Sequence, residues 1–549
     1  MDKLYFNIGN RLEELAEVIP ETPAIIVPRG NRCSRTGFAG LRREIHRLAS
    51  GLSLSGITQG HRILLMVRPG LEFIALTFAL FRVGAVPVLI DPGLGRKNIL
   101  GCVRDAAPDG MVAIPLAHAA RLLFPKPFKT ARIFITVGNA WFWGGNTLAQ
   151  VKEMGHEHFE SAKTAPEDPA AILFTSGSTG PPKGVVYTHE MFARQTDILE
   201  TVFGFKKGGI DLPTFPLFAL FSVALGMTCV IPEMDFARPA AADPRKIVDA
   251  VSRFGATTGF GSPALWDPVS RYCLDQGIRL PTLKRILMAG APVPGTLLRR
   301  FETILDQDAD IATPYGATEA LPVASISRRE ILGETWEKTE QGAGVCVGQA
   351  VPGMEIKIIR ITEEPIAHWE ETLELRRGEI GEIVVKSPWV TQQYFQHETA
   401  TALAKIQQGS TFWHRMGDIG YLDNDNRLWF CGRKSHCVRT PEQTLYTLPC
   451  EAIFNRHPGV KRSALVGVGP RNAQQPVIII EPQNGKVPRS EQARDQWIAE
   501  LRALAAGNPL TRNIQNVLFH PSFPVDVRHN AKIFREKLAL WAAGQLKRG

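Results

Sequence analysis

Ala170-Ala-Ile-Leu-Phe-Thr175-Ser-Gly-Ser-Thr-Gly180-Pro-Pro-Lys-Gly-Val185-Val-Tyr187 reads as a strand, a loop of glycines and hydroxyls, and a second strand. The small residues Gly177 and Gly180 let backbone N–H groups close in on an anion. Thr175, Ser176, Ser178 and Thr179 add hydroxyl donors, and Lys183 adds a positive charge. Such a loop is built to hold phosphate. A plain surface turn would not need the Thr179-Gly180 step followed by a lysine. A P-loop places Gly directly before its Lys and Ser or Thr directly after it, whereas Pro182 and Gly184 flank Lys183 here.

Upstream of this stretch, helical patterns alternate with short β-branched runs: Ile63-Leu-Leu-Met-Val67, Leu71 to Phe81, then Val86-Pro-Val-Leu-Ile90. That rhythm predicts βαβ units on a parallel sheet. Downstream, Gly378 to Lys386 and Arg427 to Cys431 predict strands of a smaller β-rich unit, and the pattern changes again after Gly432-Arg433. The chain has 549 residues, more than one core usually supports. We expect an α/β protein divided at residues 1–432 and 433–549.

With 44% apolar and 21% charged residues, the composition excludes disordered, collagen-like and coiled-coil chains. The net charge of +9 is spread without basic blocks, which reads as solvated surface rather than a nucleic-acid site. Eight cysteines show neither a Cys-x-x-Cys pair nor metal-site spacing and read as reduced core thiols. The N-terminus carries no basic segment followed by an apolar run, so a cytoplasmic location is expected. Phe73 to Ile90 and Thr214 to Ile231 are apolar enough to test as membrane spans. Arg82 and Gly84 in one, and Pro216 and Gly226 in the other, favour a buried helix running into a buried strand.

The loop closely resembles the signature of the acyl-adenylate-forming superfamily, and further segments resemble the family's motifs in order over roughly residues 10 to 540. In Tyr315-Gly316-Ala-Thr318-Glu319 the resemblance implies that Tyr315 stacks on adenine, Thr318 meets the α-phosphate and Glu319 holds Mg2+. Gly290-Ala291-Pro292 would line the adenine pocket, Asp418 and Arg433 would reach the ribose, and Lys532 would be the mobile catalytic lysine acting with Lys183. An aromatic face for a base, a hydroxyl for phosphate and a carboxylate for a hard cation suit these roles chemically. The implied fold is a large N-terminal domain of two doubly wound sheets plus a small β-barrel, carrying a small mobile α+β C-terminal domain hinged at Ser435. The implied cofactors are ATP/AMP and Mg2+.

Departures from the general pattern narrow the resemblance. Ala219, after Phe218, stands where many relatives have His; Pro441-Glu442 replace the glycines beside which pantetheine passes; and the lysine motif reads Val525-Asp-Val-Arg-His-Asn-Ala-Lys532. With Gly261-Ser262-Pro263 as further acyl-pocket candidates, the sequence resembles the OleC-type olefin β-lactone synthetases over nearly its whole length. That resemblance implies activation of a long-chain 2-alkyl-3-hydroxy acid as acyl-AMP, then intramolecular closure to a β-lactone without coenzyme A. It also implies other olefin-biosynthesis enzymes as partners in an assembly. A long-chain fatty-acyl-CoA ligase or acyl-AMP ligase is the alternative.

Overall fold

The computed structural model describes residues 6–174, 181–483, 485–526 and 532–547. The phosphate-loop candidates Thr175, Ser176, Gly177, Ser178, Thr179 and Gly180 lie outside the described residues. Two large sheets form the main body. In the first, the strands Asn146–Thr147, Ile133–Thr136, Gly110–Ala113, Arg62–Met66, Val86–Ile90 and Pro169–Phe174 lie parallel in that order. Gly184–Thr188 then pairs antiparallel to Pro169–Phe174 at the edge. The two expected strands are therefore a sheet-edge pair, and Phe174 and Gly184 stand at strand ends, where α/β sheets present ligand sites.

The second sheet carries parallel strands at Ile210–Pro213, Thr258–Gly261, Arg285–Met288 and Asp310–Ala317. The last of these turns into the antiparallel Ala320–Ser327. The small β unit, with Gly381–Lys386, Thr411–Leu422 and Leu428–Arg433, joins this sheet through Val345–Ala350. A separate three-stranded sheet of Val460–Val468, Gln475–Pro482 and Asn516–Phe519 packs against Glu491–Ala506 and Arg535–Leu546 as the smaller C-terminal domain.

Both apolar stretches resolve as helix then strand. Leu71–Val83 is buried on every side and runs into Val86–Ile90, and Phe218–Ala224 runs into Thr228–Val230. A helix apolar all round needs protein or lipid against every face, and here neighbouring helices and strands supply protein, the helix Phe38–Leu54 foremost against Leu71–Val83. Among the described residues no helix is long and apolar enough to cross a membrane.

Candidate functional site

The site forms where the two sheets, the small β unit and the C-terminal domain converge. Its centre is the turn between Asp310–Ala317 and Ala320–Ser327, where the pairing register shifts after Tyr315. Such bulges re-aim side chains at sheet ends. Gly316 permits the turn, because a Cβ there would lie 2.5 Å from the Ala320 carbonyl oxygen. Any other residue would push Thr318 and Glu319 out of place. Two hydrogen bonds hold these residues: the Tyr187 hydroxyl donates to the Thr318 carbonyl at 2.6 Å, and the Thr391 N–H to the Glu319 carbonyl at 2.9 Å.

One oxygen of the Glu319 carboxylate, Oε1, accepts from the Tyr394 hydroxyl at 2.7 Å. Burial, then the neighbouring Glu319 charge, push the Tyr394 hydroxyl far above the ordinary phenol range. It therefore remains a donor. Lys183 Nζ lies 4.9 Å from the centre of the Tyr394 ring, so Lys183 and Glu319 are brought to opposite features of one side chain. Behind them, the buried Lys405 donates to the Thr391 carbonyl. Burial pushes its ammonium down to about 7, with Glu319 opposing that shift. Sequence reading passed over Tyr187, Tyr394 and Lys405. They belong to no phosphate- or metal-binding pattern, and only the fold turns them toward the Thr318-Glu319 turn.

Asp418 and Arg433 are cross-strand partners on Thr411–Leu422 and Leu428–Arg433. The Tyr315 hydroxyl donates to Asp418 Oδ2 at 2.6 Å, and its ring packs on Phe430 at 5.7 Å. Arg433 Nη1 stands 2.9 Å from Asp418 Oδ1, yet off the hydrogen-bonding direction, so Oδ1 is buried without a hydrogen-bond partner among the described residues. A buried carboxylate oxygen with unused lone pairs fits a donated hydroxyl, as a ribose would supply. Burial raises the Asp418 carboxyl above the usual range, while Arg433 and then Tyr315 act against that rise. Lys532 of the C-terminal domain also acts on it electrostatically, more weakly than Arg433 and Tyr315. A short hairpin base holds Lys532: its N–H donates to Asp526 Oδ1 at 2.9 Å, and Val525 bridges Ile533.

Ser435 sits exposed in the turn Lys434–His436. The residue before it is pinned. Lys434 Nζ donates to both carboxylate oxygens of Glu382, at 2.9 and 3.1 Å, and Glu382 also takes Arg415 Nη2 at 2.7 Å. Side chains of Glu382 and Arg415 are almost wholly buried. Ser435 directly follows this anchored lysine, and beyond it Arg439 Nη2 again reaches the large domain at Glu363 Oε1, 2.9 Å away.

Two of the acyl-pocket segments meet through one ring pair. Phe218 stacks at 4.1 Å and 17° on Phe260, the residue before Gly261-Ser262-Pro263, and the buried Ala219 follows Phe218 on the helix Phe218–Ala224. Gly261 has no room for a Cβ, which would meet Trp266 Nε1 at 2.6 Å and Thr214 Oγ1 at 2.8 Å. The buried Ser262 hydroxyl has no hydrogen-bond partner among the described residues. Asp211, also buried, accepts from Ser222 at 2.5 Å and Thr258 at 2.7 Å, tying Phe218–Ala224 to two strands. Burial pushes its carboxyl up to about 6, against those two hydrogen bonds. Gly290-Ala291-Pro292 follow Arg285–Met288, the strand adjoining Thr258–Gly261, so the adenine- and acyl-side candidates leave neighbouring strand ends.

Among the described residues no cluster of three His, Cys, Asp or Glu could cage a metal. Mg2+ needs no such cage, since it keeps waters and commonly uses one or two carboxylates together with substrate phosphates. Glu319, with Oε1 held by Tyr394, is a carboxylate oriented for that kind of contact.

Fold and site together define a nucleotide-dependent enzyme of one family: the AMP-binding enzyme family model matches residues 12–395, and the chain belongs to that family. It is an acyl-adenylate-forming ligase. The chain is 48% identical to an olefin β-lactone synthetase of Stenotrophomonas maltophilia, over 99% of each chain. It is likewise 48% identical to an olefin β-lactone synthetase of Xanthomonas campestris pv. campestris, over 98% of each. A crystal structure of an anthranilate CoA ligase in complex with anthranoyl-AMP superposes with a TM-score of 0.78 at 18% identity, covering 100% of this chain and 99% of that one. At that identity the likeness speaks for the fold alone.

Proposed function

We infer that the protein is an olefin β-lactone synthetase, which activates a long-chain 2-alkyl-3-hydroxy acid with ATP and closes it to a β-lactone. The observation that carries this reading is the 48% identity to two olefin β-lactone synthetases over nearly the full length. In the first step a carboxylate oxygen attacks the α-phosphorus, the bond to the β-phosphate breaks, and pyrophosphate leaves. Both reactants are anions, so Lys183, Lys532 and the donors of residues 175–180 would offset their repulsion. Mg2+ carried by Glu319 would supply further positive charge to the phosphates. Asp418 and Arg433 would hold the ribose, Tyr315 the adenine, and Thr318 the α-phosphate, with Gly290-Ala291-Pro292 and Gly316 shaping the base pocket.

In the second step the substrate's 3-hydroxyl oxygen bonds to the acyl carbon and the acyl–phosphate bond breaks. AMP departs and the hydroxyl proton passes to water. Intramolecular attack can gain on the order of 7 to 11 kcal/mol over a bimolecular step, so no thiol is needed. Pro441-Glu442 support this reading. They cap the hairpin of Val438–Arg439 and Thr444–Leu445, where Thr440 Oγ1 accepts from the N–H of Glu442 at 3.3 Å and of Gln443 at 3.1 Å. This tied, substituted turn replaces the flexible glycine step that a pantetheine arm would pass. Residues 1–432 and 433–549 would form the fixed and mobile domains, with Ser435 as hinge beyond the Lys434 anchor, in a cytoplasmic enzyme. Product analysis after incubation with ATP, Mg2+ and a long-chain 3-hydroxy acid, with and without coenzyme A, tests the reading. A thioester formed with coenzyme A, and no lactone without it, would favour a fatty-acyl-CoA ligase instead.

A further inference from the structure

Exposed apolar side chains are concentrated at one edge of the first sheet, far from the site. Leu116, Leu122 and Leu123 of the helix Pro115–Leu123 are 76%, 45% and 75% exposed, and Trp141 and Phe142 on the adjoining loop are 69% and 83% exposed. Single exposed apolar residues need no explanation, but a cluster of three leucines and two aromatics does. The loop is fixed to the helix. Trp143 is buried with its ring stacked on both His118 and Trp141, at 5.8 and 5.5 Å, and Arg121 donates to the Trp143 carbonyl at 2.8 Å. Trp141 and Phe142 are thus held outward by a buried aromatic stem rather than left on a loose tip.

The chain that carries this cluster is basic up to Glu153, which adjoins Lys152 on the helix Leu148–Met154. Residues 110–152 contain Arg121, Lys126, Lys129, Arg132 and Lys152 and no Asp or Glu. Lys126, Lys129 and Arg132 are exposed, whereas Arg121 lies over the Phe134 ring at 3.7 Å and Lys152 pairs with Glu44. The nearest preceding acids, Asp105 and Asp109, face Arg104 and Arg62. We propose that this edge docks on an anionic lipid surface, with Leu116, Leu123, Trp141 and Phe142 entering the headgroup boundary and Lys126, Lys129 and Arg132 facing the phosphates. Aromatic and leucine side chains flanked by cations match such an interface in both its apolar and its charged layer. A lipid surface also holds long-chain acids, so the substrate class proposed above would be met where it partitions; the docking itself rests on the surface alone.

The strands Ile133–Thr136 and Asn146–Thr147 under this patch and the strand Gly184–Thr188 beside Lys183 stand at opposite edges of the seven-stranded sheet. That separation is on the order of 25–30 Å at ordinary strand spacing. Substitutions at the patch should therefore leave adenylation of a short, soluble 3-hydroxy acid unchanged. The test is flotation of the full-length protein with phosphatidylcholine vesicles prepared with and without phosphatidylglycerol. The wild type is expected to float with the anionic vesicles, less at high salt, and hardly with phosphatidylcholine alone. The Leu123→Ser/Trp141→Ser/Phe142→Ser and Lys126→Glu/Lys129→Glu/Arg132→Glu variants are each expected to lose roughly tenfold or more of the bound fraction. Absence of flotation, or flotation unchanged in both variants, would overturn the proposal. So would patch-dependent self-association without vesicle binding, which would assign the surface to a second copy of the chain.

Discussion

Replacing Asp418 with Asn tests the nucleotide half of the site without altering its shape. Asp418 Oδ2 takes the Tyr315 hydroxyl at 2.6 Å, and Oδ1 is buried beside Arg433 with no hydrogen-bond partner among the described residues. An amide has one acceptor oxygen, so its NH2 must face either the Tyr315 hydroxyl or the ribose position and Arg433. Hydrogen bonds to a charged partner contribute about 1.5–3 kcal/mol each. Losing the ribose bond then weakens ATP binding by roughly 10- to 150-fold. Because the ribose lies away from the reacting atoms, the same energy is lost in the ground and transition states. KM for ATP should rise while kcat changes little. Arg433 loses its counter-charge, but its side chain is 28% exposed, so water compensates and the stability cost should be about 1 kcal/mol rather than the 3–5 of a fully buried pair. Pyrophosphate release measured against ATP concentration, with thermal unfolding alongside, checks both numbers. An unchanged KM in a folded variant would remove Asp418 from the nucleotide site.

Other perturbations separate the remaining parts of the reading. Lys532→Ala should nearly abolish pyrophosphate release while leaving the fold intact by circular dichroism; release at a near wild-type rate would refute its role. Tyr394→Phe removes the hydroxyl that orients Glu319 Oε1, so the Mg2+ concentration giving half-maximal rate should rise, and Glu319→Gln should raise it further; an unchanged Mg2+ dependence in both would exclude that carboxylate. Glu382→Gln leaves Arg415 and Lys434 buried around a neutral amide and should cost about 3–5 kcal/mol of stability in urea unfolding. Asp211 titrates near 6 when folded against an ordinary 3.8, so the folded state binds the extra proton between those values and wild-type stability is lost as pH rises through that window. Asp211→Asn lacks this titration, and from pH 4 to 7 the wild type should lose about 2 kcal/mol relative to it; parallel stability curves for the two would contradict the assignment.

The candidate site could be proposed from sequence because its residues come in short contiguous segments. Residues 175–180, the turn bearing Thr318 and Glu319, and the Gly432-Arg433 step each keep their members together along the chain. The two apolar stretches were equally readable, because Arg82 and Pro216 are poorly suited to lipid and the strand-forming runs after them are short. Tyr187, Tyr394 and Lys405 were not legible. A tyrosine on a strand is an ordinary core residue until another element places an acceptor at its hydroxyl, and Tyr187 meets Thr318 across 131 positions of sequence. The membrane-facing edge was hidden for a related reason: chain-wide charge is scattered, and only exposure distinguishes Trp141 and Phe142 from core aromatics.

By itself the sequence determined the α/β class, the order of the motifs and the residue types at each position of the site, because these follow from local spacing, turn chemistry and hydrophobic period. It did not determine that Asp418 shares one carboxylate between Tyr315 and the neighbourhood of Arg433, or that Glu319 is oriented by Tyr394. Nor did it show that the chain's last domain brings Lys532 within electrostatic reach of Asp418. Those relations depend on strand register and on the docking of separate elements, and distance along the chain carries no information about either. Tertiary structure decided them because a hydrogen bond or an ion pair is set by angstroms in space, and a single residue's slip in register would turn Asp418 or Tyr315 to the opposite face of its strand.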